Sequence, residues 1–252
     1  MWVTSKLWNT YHRPERVREA CVKTLKDMGL DYLDLYLIHY PLAMKFVPFE
    51  EKYPAGFPLD DKNRIMMDEG VSIEDTWRAM EGLVDEGLVR NIGFSNTNIQ
   101  LLRDVCSYAK IKPAVVQNEI HPYNSCQKFL RFCREKGIAV TAYSSLGGAS
   151  YTGMGWAQEA ESCLVDPLMA EIGEAHGKTA AQVALRWAVQ RGTAVLPKTT
   201  NPGRLAENIG LFDFALTDEE MARVDAANRD RRFCDPGDNL ESRFGNLEPV
   251  WD

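Results

Sequence analysis

The chain has 252 residues, 45% of them apolar and 26% charged, and a formal net charge of −7. That length suits one large α/β domain or two small ones, with a single domain spanning 1–252 expected because barrels of this size commonly form one, and the acidic balance argues against nucleic acid or an anionic membrane as partner. No apolar run reaches the ~18 residues of a membrane span, and the start lacks a signal-peptide layout. The cysteines (Cys21, Cys106, Cys126, Cys133, Cys163 and Cys234) show no C-x-x-C pair and no metal-ligand spacing with the histidines, so the expectation is reduced thiols in a cytoplasmic protein without a metal.

Apolar runs alternate with helix-period segments along the whole chain. Trp2–Ser5 reads as a short strand, and Pro14 opens a helix to about Met28 carrying Val17, Cys21, Leu25 and Met28 at helical spacing. Tyr32–Ile38 is a buried-type strand ending at His39. The segment of about 40–71, rich in Pro, Lys, Asp and Gly, reads as a long functional loop. Ser72 is placed to cap a helix reaching about Glu86, with Asp75 where a capping box carries glutamate. There follow strand Val89–Phe94, helix Ile99–Tyr108, strand Ala114–Gln117, helix Gln127–Lys136 and strand Ile138–Tyr143. Helices at Pro167–Ala175 and Ala180–Gln190 lead to strand Ala194–Leu196, then short helices at Pro202–Ile209 and Asp218–Ala226, with irregular chain expected from Asn228. Strands separated by helices imply parallel pairing.

In a βα barrel, ligands meet the C-terminal ends of the strands. Those ends carry Lys6, His39, Ser95 with Asn96, Gln117, Tyr143, and Lys198 with Thr199. A neutral imidazole at His39 can donate a hydrogen bond to a carbonyl, and an ammonium at Lys6 can lower the pKa of a neighbouring phenol. Tyr143 can stack on a flat heteroaromatic ring that Ser95, Asn96 and Gln117 orient by hydrogen bonds, although Ser95 or Asn96 would equally serve as a helix cap. In Lys198–Asn208 a lysine, hydroxyls and Arg204 surround a helix start, a set suited to a phosphomonoester, with Glu207 and Asn208 one turn on to read an adenine edge.

Together the segments Ser5-Lys6-Leu7-Trp8, Leu37-Ile38-His39-Tyr40-Pro41, Ile92-Gly93-Phe94-Ser95-Asn96, Gln117-Asn118-Glu119-Ile120-His121-Pro122, Thr141–Gly147 and Leu196–Asn208 resemble the successive signatures of the aldo-keto reductases. Lys45–Pro48, Glu50–Pro54 and Arg232–Pro236 are most similar to fungal-type xylose reductases; Ser107–Pro113 and Leu146–Ala149 also resemble plant aldose-6-phosphate reductases. The resemblance implies a (β/α)8 TIM barrel and NADPH-dependent reduction of an aldehyde or sugar carbonyl, with NADH as a second cofactor. It implies that Lys6 tunes a proton-donating tyrosine and that His39 orients the carbonyl. Trp8 lines the substrate pocket. Ser95, Asn96 and Gln117 hold the carboxamide, and Tyr143 stacks on the ring. Ser144 and Leu146 meet the pyrophosphate, Lys198, Thr199, Thr200 and Arg204 the 2′-phosphate, and Glu207 and Asn208 the adenine.

The family's proton-donating tyrosine and its aspartate lie upstream of the Lys-Leu-Trp motif, and Tyr11, Tyr32, Tyr36 and Tyr40 do not share their sequence context. Six strands are legible where the barrel has eight, so the expectation is a barrel lacking its first two βα units, roughly 60 residues. Unpaired strand edges then favour self-association. Two principal readings stand open: a reductase whose sequence has lost its N-terminal quarter, and an NADP-binding chain without turnover. A non-folding fragment is the third.

Overall fold

A computed structural model describes residues 1–245 and 248–251. Among them the chain runs β1 (Thr4–Leu7), α1 (Pro14–Met28), β2 (Leu35–Ile38), α2 (Ile73–Asp85), β3 (Ile92–Ser95), α3 (Ile99–Tyr108), β4 (Val115–Glu119), α4 (Gln127–Lys136) and β5 (Ala139–Tyr143). It continues through α5 (Pro167–His176), α6 (Ala180–Gln190), β6 (Thr193–Val195), α7 (Pro202–Ile209), α8 (Asp218–Asp225) and α9 (Pro236–Phe244). The strand order is the chain order, an open run of six from β1 to β6. Parallel pairing joined by helices is the βα architecture that the alternation anticipated.

Two compact units emerge: Met1–Val116 with Glu135–Ile138 and Asp235–Asp252, and Gln117–Arg134 with Ala139–Cys234. In the first unit β1 pairs with β2 (Lys6 opposite Leu37, Leu7 opposite Ile38) and β2 with β3 (Ile38 opposite Phe94). Leu7, Leu35, Leu37, Ile38 and Phe94 are buried, and the indole of Trp77 from α2 stacks on Phe94 at 4.8 Å. Gly93 has a steric reason: a Cβ there would lie 2.0 Å from the carbonyl oxygen of Val115.

The 40–71 segment is fastened rather than loose. Asp68, 3% exposed, takes two hydrogen bonds from the Arg13 guanidinium at 2.7 and 3.0 Å and one from Lys45 at 3.2 Å. Tyr11 stacks on Phe49 at 4.4 Å, Arg16 lies over Phe46, and antiparallel bridges link Met44 to Met67 and Leu59 to Ile65. The expectation of irregular chain after Asn228 is corrected by α9. Asp235 caps it by accepting from the Gly237 N–H, Pro236 occupies its first turn, and Phe244 packs with Met44 and Ile65. A helix this short is marginal alone, and that packing holds it.

In the second unit β5 pairs with β6, from Val140 opposite Thr193 to Ala142 opposite Val195. Thr179 and Gln182 form the capping box of α6, and the buried Trp187 donates from Nε1 to Asp225 at 2.9 Å. The helix starts at Pro14, Ile99, Gln127, Pro167, Ala180, Pro202 and Asp218 agree with the sequence reading, whereas strands β1, β3 and β4 sit one to three residues nearer the C-terminus. A buried parallel strand is apolar on both faces, so its apolar run marks its presence but not its ends. The cap of α3 is Asn98, accepting from the Leu101 N–H at 2.9 Å, not Ser95 or Asn96.

Candidate active site

Three βα junctions of the first unit carry the first cluster. Lys6 lies inside β1, half-buried, and no carboxylate among the described residues pairs with its ammonium. Burial lowers its pKa. His39 follows β2 and is tied by its own N–H to the Leu7 carbonyl at 3.1 Å. Burial first, and the charge of Lys6 second, push its imidazole down to about 4, so His39 is neutral at physiological pH and one ring nitrogen carries a donatable proton.

Trp8 meets the edge of the His39 ring at 5.2 Å, and its Nε1 donates to the Gly56 carbonyl at 3.1 Å. Phe57 packs 5.7 Å from the same indole and 5.3 Å from Phe244 of α9, so the long loop reaches Trp8 and the last helix backs the loop residue that does. Asn96 holds a left-handed backbone (φ 55°) and donates from Nδ2 to the His39 carbonyl at 2.9 Å, which joins the ends of β2 and β3. Part of the amide assigned to recognition thus has a local task.

Sequence reasoning missed His12. It is 1% exposed, neither ring nitrogen has a hydrogen-bond partner among the described residues, and burial together with the nearby His39 drives its pKa to about 3. Its carbonyl accepts the Thr76 hydroxyl at 2.8 Å. The sequence signal available was a histidine one residue before the Arg-Pro that opens α1. Tyr11, by contrast, commits its hydroxyl to the Val47 carbonyl at 3.0 Å, and Tyr36 is wholly buried in β2. Burial raises both phenols, which disfavours either as a proton donor.

The second cluster belongs to the second unit. Gln117 is buried in β4. Tyr143 ends β5, and Ser144 just beyond it adopts φ 51°. Its carbonyl accepts the Gly147 N–H at 2.8 Å, and its hydroxyl lies 2.7 Å from the Tyr151 hydroxyl. The Leu146 carbonyl accepts the Cys163 N–H at 3.1 Å, closing the base of a loop over 147–162. Gly148 is confined: a Cβ there would lie 2.9 Å from that of Ala157.

Beyond β6, Lys198, Thr200, Arg204 and Glu207 are exposed, with Thr199 and Asn208 half-buried. Asn201 caps α7, its Oδ1 accepting from the N–H groups of Gly203 at 2.8 Å and Arg204 at 3.3 Å. This differs from the sequence reading, which offered the helix start itself to a phosphate. With those two N–H groups engaged, an anion here meets the side chains of Lys198, Thr199, Thr200 and Arg204. These four side chains are charged or hydroxyl donors of the kind an anion takes, carried on one exposed segment.

Parallel βα units with polar, titratable residues at successive strand ends are the layout on which βα barrels carry their sites. Residues 1–229 match the Aldo/keto reductase family, and the chain belongs to it. It is 46% identical to the NAD(P)H-dependent D-xylose reductase of Pachysolen tannophilus over 94% of this chain and 74% of that protein. It is 43% identical to the NADPH-dependent aldose reductase of Saccharomyces cerevisiae, over 97% and 77%. Among solved structures, the aldose reductase from Schistosoma japonicum superposes with a TM-score of 0.85 at 39% identity, covering all of this chain and 75% of that one. No helix among the described residues is long and apolar enough to cross a membrane, and none of their His, Cys, Asp and Glu side chains cluster as a metal site.

Proposed function

We propose that this chain serves the NAD(P)H-dependent reduction of an aldehyde or aldose carbonyl to an alcohol. The observation that carries the reading is the first-unit cluster: a neutral, half-buried His39, edge-on to Trp8, whose imidazole feels the charge of Lys6, an ammonium with no carboxylate partner among the described residues. Bound NADPH would supply the hydride. His39 donates a hydrogen bond to the carbonyl oxygen and so stabilises the negative charge that develops there. Lys6 places a positive charge beside that oxygen and lowers the pKa of an acid brought to it. Trp8, fixed by the Gly56 carbonyl, forms an apolar wall that limits water at the reacting carbon.

For the cofactor, Ser95, Asn96 and Gln117 take the carboxamide, Tyr143 the nicotinamide face, and Ser144 and Leu146 the pyrophosphate. Lys198, Thr199, Thr200 and Arg204 take the 2′-phosphate, and Glu207 and Asn208 the adenine. NADPH is preferred on the charge of Lys198 and Arg204, with NADH accepted more weakly. The substrate is a small carbonyl compound or sugar, and the protein acts in the cytoplasm as one domain.

A second reading, nucleotide binding without turnover, has its own support. Lys6 has neither carboxylate nor phenol against its ammonium among the described residues, and Tyr11 and Tyr36 are committed elsewhere. Titration of the purified chain with NADPH, followed by tryptophan fluorescence, is paired with turnover of xylose and glyceraldehyde. Binding with turnover supports the reductase. Binding without turnover supports the second reading, and absence of binding overturns both.

A further inference from the structure

Resting on the reading that Ser144 meets the dinucleotide, we propose that Tyr151 is a positioning residue for it. Through its phenol, Tyr151 latches the 147–162 loop over Ser144, and the latch is anchored by the C-terminal segment 228–234.

The loop is closed at its base. The Cys163 N–H reaches the Leu146 carbonyl, and an antiparallel bridge joins Gly147 to Ser162. Gly147 and Gly155 hold φ of 72° and 75°, conformations that other residues adopt only with strain, and they punctuate the loop where it turns. Between them Tyr151, 9% exposed, points inward. Its hydroxyl lies 2.7 Å from the Ser144 hydroxyl. Ser144 itself holds a left-handed backbone, a strained state that persists where neighbours over-determine it. The Tyr151 contact is one such neighbour. It gives the Ser144 hydroxyl a fixed hydrogen-bond partner, with either oxygen able to donate.

The outer side of the latch is made by the tail. Tyr151 is sandwiched between Trp156 of its own loop, at 6.0 Å, and Phe233, at 5.8 Å. Arg231 donates from Nε to the Glu161 carboxylate at 2.8 Å and from Nη2 to the Trp156 carbonyl at 2.9 Å, pinning the far arm of the loop. The tail is itself fixed: the N–H groups of Phe233 and Cys234 donate to the fully buried Glu119 carboxylate, each at 2.8 Å. The N–H groups of Arg229 and Arg231 reach the Tyr123 carbonyl at 3.1 and 2.9 Å. Glu119, the Phe233–Cys234 backbone, the Tyr151 ring and the Ser144 hydroxyl therefore form one continuous set of contacts. A ligand that needs Ser144 therefore meets a hydroxyl already held by Tyr151, whose ring the tail keeps in place.

The test compares the full chain with Y151F, S144A and the double variant. Phenylalanine keeps the stack on Phe233 and Trp156 and removes the hydroxyl alone. Two readouts are taken: amide hydrogen exchange of residues 147–162 without dinucleotide, and NADPH dissociation by stopped-flow fluorescence. Y151F is expected to speed both about five-fold, the factor that one ordinary hydrogen bond carries, with the thermal midpoint lowered by about 2–4 °C at most. In exchange the double variant is expected to match the single ones, because both remove the same bond; in NADPH dissociation it is expected to match S144A, which also loses the Ser144 contact to the dinucleotide. Wild-type exchange rates in Y151F, or effects of Y151F and S144A that simply multiply, overturn the latch. If the wild type binds no dinucleotide, the functional reading falls, and the exchange arm alone decides the latch. If exchange responds but NADPH dissociation does not, Tyr151 is structural and the positioning role is overturned.

Discussion

Replacing Glu119 by glutamine tests how strongly the tail is held. The wild-type carboxylate is fully buried and accepts three hydrogen bonds, from His121 Nε2, the Phe233 N–H and the Cys234 N–H, each at 2.8 Å. Two arrive on Oε1 and one on Oε2. Glutamine has the same shape but one acceptor oxygen, so its NH2 must face at least one donor. The Cys234 N–H is that donor if the oxygen keeps the Oε1 position. Hydrogen bonds to a charged group contribute about 1.5–3 kcal/mol each, and a buried donor left without an acceptor costs about 1–3 kcal/mol. The expected loss is about 3 kcal/mol, or roughly 6–12 °C in the thermal midpoint of a chain this size.

The pH dependence sharpens the test. Burial alone would raise the Glu119 carboxyl, but the hydrogen bond and charge of His121 and the two backbone N–H groups outweigh it and hold the pKa below the ordinary glutamate range. A depressed pKa contributes stability above the unfolded value, lost as pH falls through the folded one. The gap between wild type and E119Q is therefore widest above about pH 5 and narrows below pH 4. Thermal melts from pH 3 to 8, with hydrogen exchange at Phe233 and Cys234, measure both effects. A midpoint within 2 °C of wild type at pH 7, or a gap that widens in acid, would refute the reasoning.

Other perturbations give equally specific outcomes. H39Q should lower kcat by about 10²-fold or more while leaving NADPH affinity nearly unchanged, since the ring acts on the carbonyl oxygen; equal kcat in steady-state assays would remove His39 from the chemistry. His12 and His39 are held neutral, with pKa values of about 3 and 4, so the unfolded chain binds more protons between about pH 4 and 6.5. Stability should rise with pH across that window, and H12N should flatten the rise in urea melts; an unchanged slope would contradict the assignment. K198A and R204A should each weaken NADPH binding about ten-fold and NADH binding little, with the NADPH effect shrinking at high salt. Equal losses for the two cofactors in calorimetric titrations would count against a 2′-phosphate contact.

How much of this was legible beforehand depended on the kind of signal. Pro14, Pro167 and Pro202 announced their helices, and Ser72 caps α2 by accepting the Asp75 N–H. Even there the box is incomplete, since the Asp75 carboxylate takes the Ser72 hydroxyl; an aspartate is one methylene shorter than the usual glutamate. The Asp-Pro at 235–236 was a readable cap signal for α9. It carried little weight because the helix gains its stability from Phe244 packing on Met44 and Ile65, residues some two hundred positions away.

Local chemistry by itself determined the alternation of strand and helix, the helix starts, and which polar residues stand at strand ends, because caps, helical periodicity and apolar runs act within a few residues. Only the tertiary structure decided what those residues do to one another. The neutrality of His39 comes from burial and the charge of Lys6, which lie on different strands. The task of Asn96 is set by the His39 carbonyl, and the hydrogen-bond partner of the Ser144 hydroxyl is Tyr151, a residue seven positions on. Solvation and hydrogen bonding depend on what lies within a few ångströms, and those neighbours arrive from distant parts of the chain.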